Sequence, residues 1–136
     1  MKVFLDTNVW LSATIFSGLC EELVLQCAEK GWLLSSALVQ SEAHQVLARK
    51  FPQAPHAAAL FDTVWQSAIL IPDLDEPADD NDRRLIAAAA AGAAELFVTG
   101  DKRVHGWTSV KRAQGLMRIV SPRTAWGVLF AGTGEA

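Results

Sequence analysis

Two acidic residues stand where buried strands are expected to end. Asp6 closes the apolar run Val3-Phe4-Leu5, and Asp101 follows a second apolar strand, 96–99, through Gly100. An aspartate in such a place is also a common turn or helix N-cap residue. The carboxyl ends of parallel strands, however, share one edge of a sheet, and that edge is where ligands bind. The two carboxylates therefore qualify as candidate site residues.

Two further acids lie beside apolar stripes of expected helices. Glu42 is at the edge of the stripe in a helix expected over 36–50, where a charge is costly unless it is paired, protonated or bound to a cation. Asp82 lies one turn before the stripe of a helix expected over 82–92. The helix macrodipole alone would explain Asp82. Both helices lead to or from strands, so both acids are expected near the edge that holds Asp6 and Asp101.

Four carboxylates cannot share a small site as free anions without repulsion or proton uptake. A hard divalent cation removes the conflict, and an all-oxygen ligand set suits Mg²⁺ or Mn²⁺. Such sites serve phosphate chemistry, because the ion activates water and neutralises phosphate charge. The sequence has no GxxxxGK[ST] stretch, so use of a nucleoside triphosphate is not indicated.

The elements that would position these acids alternate between strand and helix along the chain. This alternation predicts an α/β fold, a parallel sheet with helices on both faces. Residues 72–81 read as a surface loop, 100–116 as irregular or partly helical, and 131–136 as a frayed tail after one domain over 1–130. The expected strands are 2–6, 32–34, 69–71, 96–99 and 116–120, and the expected helices are 19–30, 36–50, 56–68, 82–92 and 122–130.

Composition excludes several classes of protein. The 136 residues are 51% hydrophobic, which argues against disorder. The net charge of −3 provides no general attraction to nucleic acid or to an anionic membrane. No apolar stretch is long enough to span a bilayer, and the N-terminus reads as a strand rather than a signal peptide. Cys20 and Cys27, seven residues apart, read as reduced packing residues. We expect a cytoplasmic protein.

Three stretches together resemble the PIN domain: "VFLDTNVW", "SSALVQSEAHQVL" and "DDNDRRLIAAAAAGAAELFVTGDKRV". The resemblance runs from residue 2 to about residue 125 and is greatest to PIN-family toxins related to the VapC toxins of bacterial toxin–antitoxin pairs. It implies a three-layer α/β/α fold with about five parallel strands, often as a homodimer. It also implies a Mg²⁺- or Mn²⁺-dependent endoribonuclease that hydrolyses RNA with metal-activated water and is restrained by an antitoxin protein.

By this resemblance the catalytic, metal-binding acids are Asp6, Glu42, Asp82 and Asp101. The third acid is placed on Asp82 by a gapless count back from "TGD", and Asp79 and Asp80 remain alternatives. The chain departs from the family after "GD", where only Val104 fills the place of a short apolar pair. The small polar residues that the resemblance assigns to supporting these acids are Thr7, Asn8 and Thr99.

Basic residues flank two of the acids. Arg83 follows Asp82, and Lys102 and Arg103 follow Asp101, so these three are candidate RNA contacts. A solvated charged face is the ordinary alternative. A structural or surface role is the simpler interpretation of His44, His56, His105 and Trp107.

Two other functions fit parts of the pattern. A haloacid-dehalogenase-like phosphatase also begins with a strand ending in Asp-x-Asp, but Asn8 stands where that enzyme needs a general acid, and no later acid follows Asp101 at the needed spacing. A PIN fold that binds nucleic acid without catalysis would be expected to lack some of the four acids.

Overall fold

The computed structural model describes residues 1–101, 109–112 and 115–130. Within these residues, strands and helices alternate over most of the chain. The strands are β1 (Val3–Leu5), β2 (Leu33–Ser35), β3 (Ile69–Leu70), β4 (Leu96–Val98), β5 (Ser109–Arg112) and β6 (Gly115–Val120). The helices are α1 (Thr7–Ile15), α2 (Leu19–Glu29), α3 (Ala37–Lys50), α4 (Pro55–Trp65), α5 (Asn81–Ala91) and α6 (Pro122–Phe130).

A single sheet organises the chain, with strand order β3-β2-β1-β4-β6-β5. The first five strands in this order are parallel, and β5 pairs antiparallel with β6 at one edge. β1 lies between β2 and β4, and all three residues of each of these strands are buried. Continuous apolar strands of this kind require cover on both faces of the sheet. The prediction of a three-layer α/β/α fold with about five parallel strands is confirmed.

Helix α1 is absent from the sequence-based prediction. Its residues include Val9, Trp10 and Ile15, which have modest helix propensity, and no polar stripe alternates with the apolar one. The helix contacts α2, α3 and α4, so it can bury apolar side chains on several of its sides.

Among the described residues no single helix is long and apolar enough to cross a membrane. The pair α1 and α2 meets that test only together, bent by 108°.

The segment 100–116 was expected to be irregular or partly helical; this holds at Gly100 and Asp101 but is wrong at 109–112 and 115–116, which are strands. Ser109–Arg112 forms β5 and pairs with the start of β6, at Gly115–Arg118. This short strand carries no apolar alternation of its own, so its support comes from the backbone ladder with β6, from contact with α5 and from Val110, which packs against the core. Residues 102–108 and the expected tail, 131–136, lie outside the described residues.

The N-terminus of α3 is capped from a distance. Ser36 occupies the N-cap position, but its side chain makes no cap hydrogen bond. Asp73, in the loop before α5, accepts a hydrogen bond from the Leu38 backbone N–H at 3.0 Å through Oδ2. A carboxylate at this end of a helix satisfies an orphan N–H and complements the macrodipole. The acidic loop therefore helps to fix the helix that carries Glu42.

We expect Asp73→Ala to lower the free energy of unfolding by about 1 kcal/mol, the usual loss for a helix cap. The loss is moderated because Asp73 Oδ1 is buried without a hydrogen-bond partner among the described residues, and the substitution removes that cost as well. Chemical denaturation would measure it. Asp75→Ala, an exposed acid of the same loop, is the control and should change stability by less than about 0.5 kcal/mol. Equal effects of the two substitutions would contradict the cap.

Candidate active site

The carboxylate of Asp6 is buried at the C-terminal end of the central strand. Only 4% of the residue is exposed, and it is also the N-cap of α1. Oδ1 accepts a hydrogen bond from the Thr7 backbone N–H at 2.8 Å. Oδ2 accepts from Thr99 Oγ1 at 2.8 Å and from Asn8 Nδ2 at 3.1 Å. The turn and cap role and the location at the strand-end edge are therefore combined in one residue.

Asn8 and Thr99 join the ends of β1 and β4. Asn8 Nδ2 also donates to Thr99 Oγ1 at 3.2 Å, and Asn8 Oδ1 accepts from the Gly100 backbone N–H at 2.9 Å. Thr99 Oγ1 accepts from the Asp101 backbone N–H at 3.0 Å. The backbone that carries Asp101 is thus held directly beside the residues that hold Asp6.

Glu42 is held by residues from two other elements. Its Oε1 accepts from Thr7 Oγ1 at 2.7 Å, and its Oε2 accepts from Asn81 Nδ2 at 2.8 Å. Asn81 was not singled out from the sequence; its adjacency to Asp82 was the available signal, but nothing local links it to a glutamate 39 positions earlier. Arg84 Nη1 in turn donates to Asn81 Oδ1 at 3.3 Å. The orientation of Glu42 therefore depends on both α1 and α5.

Three of the four predicted acids interact electrostatically. The pKa of Asp6 is raised from its ordinary value of 3.8 to about 6, chiefly because burial disfavours the charged form. The hydrogen bonds from Thr99 and Thr7 lower it, whereas the negative charges of Asp82 and Glu42 raise it further. Glu42 and Asp82 therefore each lie near enough to Asp6 for their charges to repel its charge.

The two alternatives to Asp82 are placed differently. Asp80 is the N-cap of α5, where its Oδ1 accepts from the Arg83 backbone N–H at 3.1 Å and its Oδ2 lies 3.3 Å from Arg83 Nε. Asp79 is exposed in the preceding loop. Asp82 is in the first turn of α5, and its charge is the one that acts on Asp6.

The structure describes one of the three predicted RNA contacts, Arg83, and two of the three histidines. Arg83 is exposed and forms an ion pair with Asp80, which leaves its guanidinium at the surface. Lys102 and Arg103, with His105 and Trp107, lie outside the described residues. Elsewhere His44 Nε2 lies 2.6 Å from Asp62 Oδ1, so it is paired between α3 and α4, and His56 is exposed at the start of α4.

The chemistry of the donor set fits a hard divalent cation, since Asp6, Glu42, Asp82 and Asp101 offer only carboxylate oxygens. Mutual repulsion at Asp6 is the condition that a cation would relieve. Over the part of the chain that the structure describes, however, no three His, Cys, Asp or Glu side chains stand close enough to hold a metal ion together. An ion would have to draw these carboxylates closer than they stand.

Comparison with known proteins decides the family. The sequence model described as PIN domain matches residues 2–103, about three quarters of the chain. The chain belongs to the PIN domain family. No curated protein and no solved structure matches it. The match covers Asp6, Glu42, Asp82 and Asp101, and it argues against the phosphatase alternative.

PIN domains are generally nucleases, and the family implies contact with nucleic acid and the use of divalent metal ions. These properties are consistent with an edge of the sheet that gathers carboxylates and uncharged polar side chains.

The buried Asp6 carboxylate predicts how the metal-free protein responds to pH. Because its pKa is higher in the folded state than in the unfolded state, the folded state binds more protons between pH 3.8 and about 6. This group therefore makes the protein less stable as the pH rises through that window, by about 3 kcal/mol in total. Asp6→Asn should remove this component.

Urea denaturation in chelator, repeated from pH 4 to pH 7, gives the free energy of unfolding at each pH. The component is the difference between the wild type and Asp6→Asn in the slope of this free energy against pH. Asp75→Asn, which removes an exposed carboxylate, should keep the wild-type slope. Identical slopes in the wild type and Asp6→Asn would show that the Asp6 pKa is not raised.

Proposed function

We propose that this PIN domain is a Mg²⁺- or Mn²⁺-dependent endoribonuclease and the toxin of a toxin–antitoxin pair. The single observation that carries the proposal is the buried Asp6 carboxylate, 4% exposed, within range of the charges of Glu42 and Asp82. A structural aspartate at a strand end has no need of two acidic neighbours. A carboxylate that binds a divalent cation, by contrast, requires further acidic ligands beside it.

The chain's own residues would hold the cation and orient the reacting groups. A divalent ion bound by Asp6, Glu42, Asp82 and Asp101 would supply an activated water and neutralise charge on the phosphate. Thr7 serves both Asp6, through its backbone N–H, and Glu42, through its hydroxyl. Asp6 Oδ1 and the two Glu42 oxygens accept one hydrogen bond each and keep a lone pair for a metal ion, whereas Asp6 Oδ2 already accepts two. These contacts hold the Asp6 and Glu42 carboxylates at the strand ends, from where an ion would draw the acids together.

No side-chain nucleophile is required by this proposal. Among the described residues His44 is paired with Asp62, and His56 is exposed at the start of α4, so neither forms an acid–base pair with another histidine. Attack by the RNA 2′-hydroxyl usually relies on such a pair. Hydrolysis by external water is the reaction that four carboxylates and a metal ion support.

A second candidate is a PIN domain that binds nucleic acid without cleaving it. It is favoured by one observation: within the described ranges no three ligand side chains are already close enough for a metal ion. The two candidates differ in whether RNA is cut when Mg²⁺ or Mn²⁺ is supplied.

The negative charges of the candidate site also indicate what an antitoxin partner would offer. An antitoxin segment with an Arg or Lys side chain would complement the repelling carboxylates as a cation does, and a homodimer is the expected assembly of such a toxin. Growth arrest on expression, lost in Asp6→Asn and relieved by the product of a neighbouring gene, would support the toxin role. A protein expressed to high level without growth inhibition would argue for a housekeeping nuclease.

We expect RNA cleavage to require Mg²⁺ or Mn²⁺ and to stop in chelator. Asp6→Asn should lower kcat/KM by about 100-fold or more, since several kcal/mol of charge stabilisation would be lost. Glu42→Gln, Asp82→Asn and Asp101→Asn should act in the same direction. Fluorescence-quenched RNA substrates, screened as a mixture of sequences, provide the measurement.

The matched controls are Glu29→Gln, an exposed acid at the opposite edge of the sheet, and His44→Ala. Both variants should keep wild-type activity. Cleavage that persists in chelator would exclude the metal-dependent reaction, and no cleavage with either ion would favour the binding protein.

The products identify the nucleophile. Attack by external water should leave a 5′-phosphate and a 3′-hydroxyl at each cut. Mass spectrometry of the fragments, with RNase A digestion as the control that yields cyclic phosphate, distinguishes the two routes. Fragments ending in 2′,3′-cyclic phosphate would show that the RNA 2′-hydroxyl, not water, attacks.

A further inference from the structure

A cavity opens directly beside the candidate active site. It has a volume of about 490 Å³ and lies between α1, the N-terminus of α2, the end of β4 and the start of α6. This size is within the range of about 300–1,000 Å³ typical of small-molecule sites. The residues that line it are Asn8, Val9, Ser12, Cys20, Gly100, Asp101 and Pro122.

Two of the residues that line the cavity, Asn8 and Gly100, belong to the hydrogen-bond network around Asp6. The Asn8 amide holds Asp6 through Nδ2 and the Gly100 backbone through Oδ1, and Asp101 follows Gly100. A molecule in the cavity would therefore touch the same residues that position the proposed reacting centre. The cavity is placed to receive the part of a substrate next to the bond that is cut.

The remaining lining is apolar or uncharged. Val9, Cys20 and Pro122 offer carbon and sulfur surface, and the Ser12 hydroxyl can donate and accept hydrogen bonds. Among the described residues that line the cavity there is no lysine or arginine, and Asp101 is one of them. Without a metal ion, a phosphate group in the cavity would be repelled by the negative charge of Asp101. A neutral, flat group with polar edges fits this lining better.

We propose that this cavity is a nucleoside subsite, which receives the ribonucleoside adjoining the scissile phosphate, with Ser12 as its specificity-determining residue. This inference rests on the proposed function, since it takes RNA as the substrate. The base and ribose occupy the cavity, and the phosphate stays outside it, toward Asp6. Ser12 hydrogen-bonds the base edge or the 2′-hydroxyl, and Cys20 bounds the space that the base fills.

Cys20 reports occupancy of the cavity without any cleavage. It is partly exposed and lines the cavity, whereas Cys27 is fully buried and serves as an internal control for unfolding. Burial raises the pKa of Cys20, with a hydrogen bond to Ser12 partly offsetting the rise, so alkylation by iodoacetamide is followed at alkaline pH. The probes are uridine, cytidine and adenosine, added singly to the full chain in chelator.

At least one nucleoside should slow Cys20 alkylation, about fivefold at four times its Kd by mass action. Uridine 5′-monophosphate should protect less than uridine, because its phosphate meets the carboxylates without a metal ion. No protection by any nucleoside at about 10 mM would overturn the subsite. Stronger protection by the monophosphate would overturn it too, since a phosphate would then occupy the cavity.

A cavity-filling substitution provides the second test. Ser12→Leu should abolish nucleoside protection and raise KM for RNA much more than it lowers kcat, with a shift in the preferred cleavage sequence. Ser67→Leu, at an exposed serine before β3 and at the opposite edge of the sheet, should do neither. An unchanged KM and cleavage pattern in folded Ser12→Leu protein would overturn the role of Ser12.

The two proposals fail in different ways. RNA cleavage without Cys20 protection would leave the nuclease standing and overturn the subsite. Cys20 protection by nucleosides in a protein that cuts no RNA would support the subsite and overturn the nuclease.

Discussion

The structure depends on one costly feature, a carboxylate buried at the end of the central strand. Burying the Asp6 charge is unfavourable, and only its hydrogen bonds from Thr7, Asn8 and Thr99 make it tolerable. Those three donors come from the start of α1 and the end of β4. The two elements must therefore meet at this point, and the polar edge of the sheet is built around it.

The same constraint extends to the elements that carry the other acids. Thr7 connects Asp6 to Glu42, and Asn81 connects Glu42 to α5, where Asp82 lies. Asp73 caps α3 from the loop that leads to α5. Neutral donors, rather than cations, hold Asp6 and Glu42, so the repulsion between them is not cancelled within these contacts. Repulsion of this kind is what a bound divalent ion would relieve.

The sequence by itself determined most of the sheet and five of the six helices that the structure describes. Continuous apolar strands, Gly31 after α2 and Pro122 at the start of α6 are local signals, and they depend on few neighbours. The strand-end positions of Asp6 and Asp101 also follow from local order, because parallel strands end at one edge. The PIN resemblance was readable for the same reason: its motifs are short and keep their order.

Only the tertiary structure decided what depends on distant partners. Helix α1 is stabilised by burial against three other helices, and β5 by its ladder with β6, so neither has a periodic pattern of its own. Asn81 beside Glu42 joins positions 39 residues apart. The raised pKa of Asp6 needs burial together with the charges of Glu42 and Asp82. Such effects arise where separate segments pack together, and the sequence gives residue types and spacing but no distances between segments.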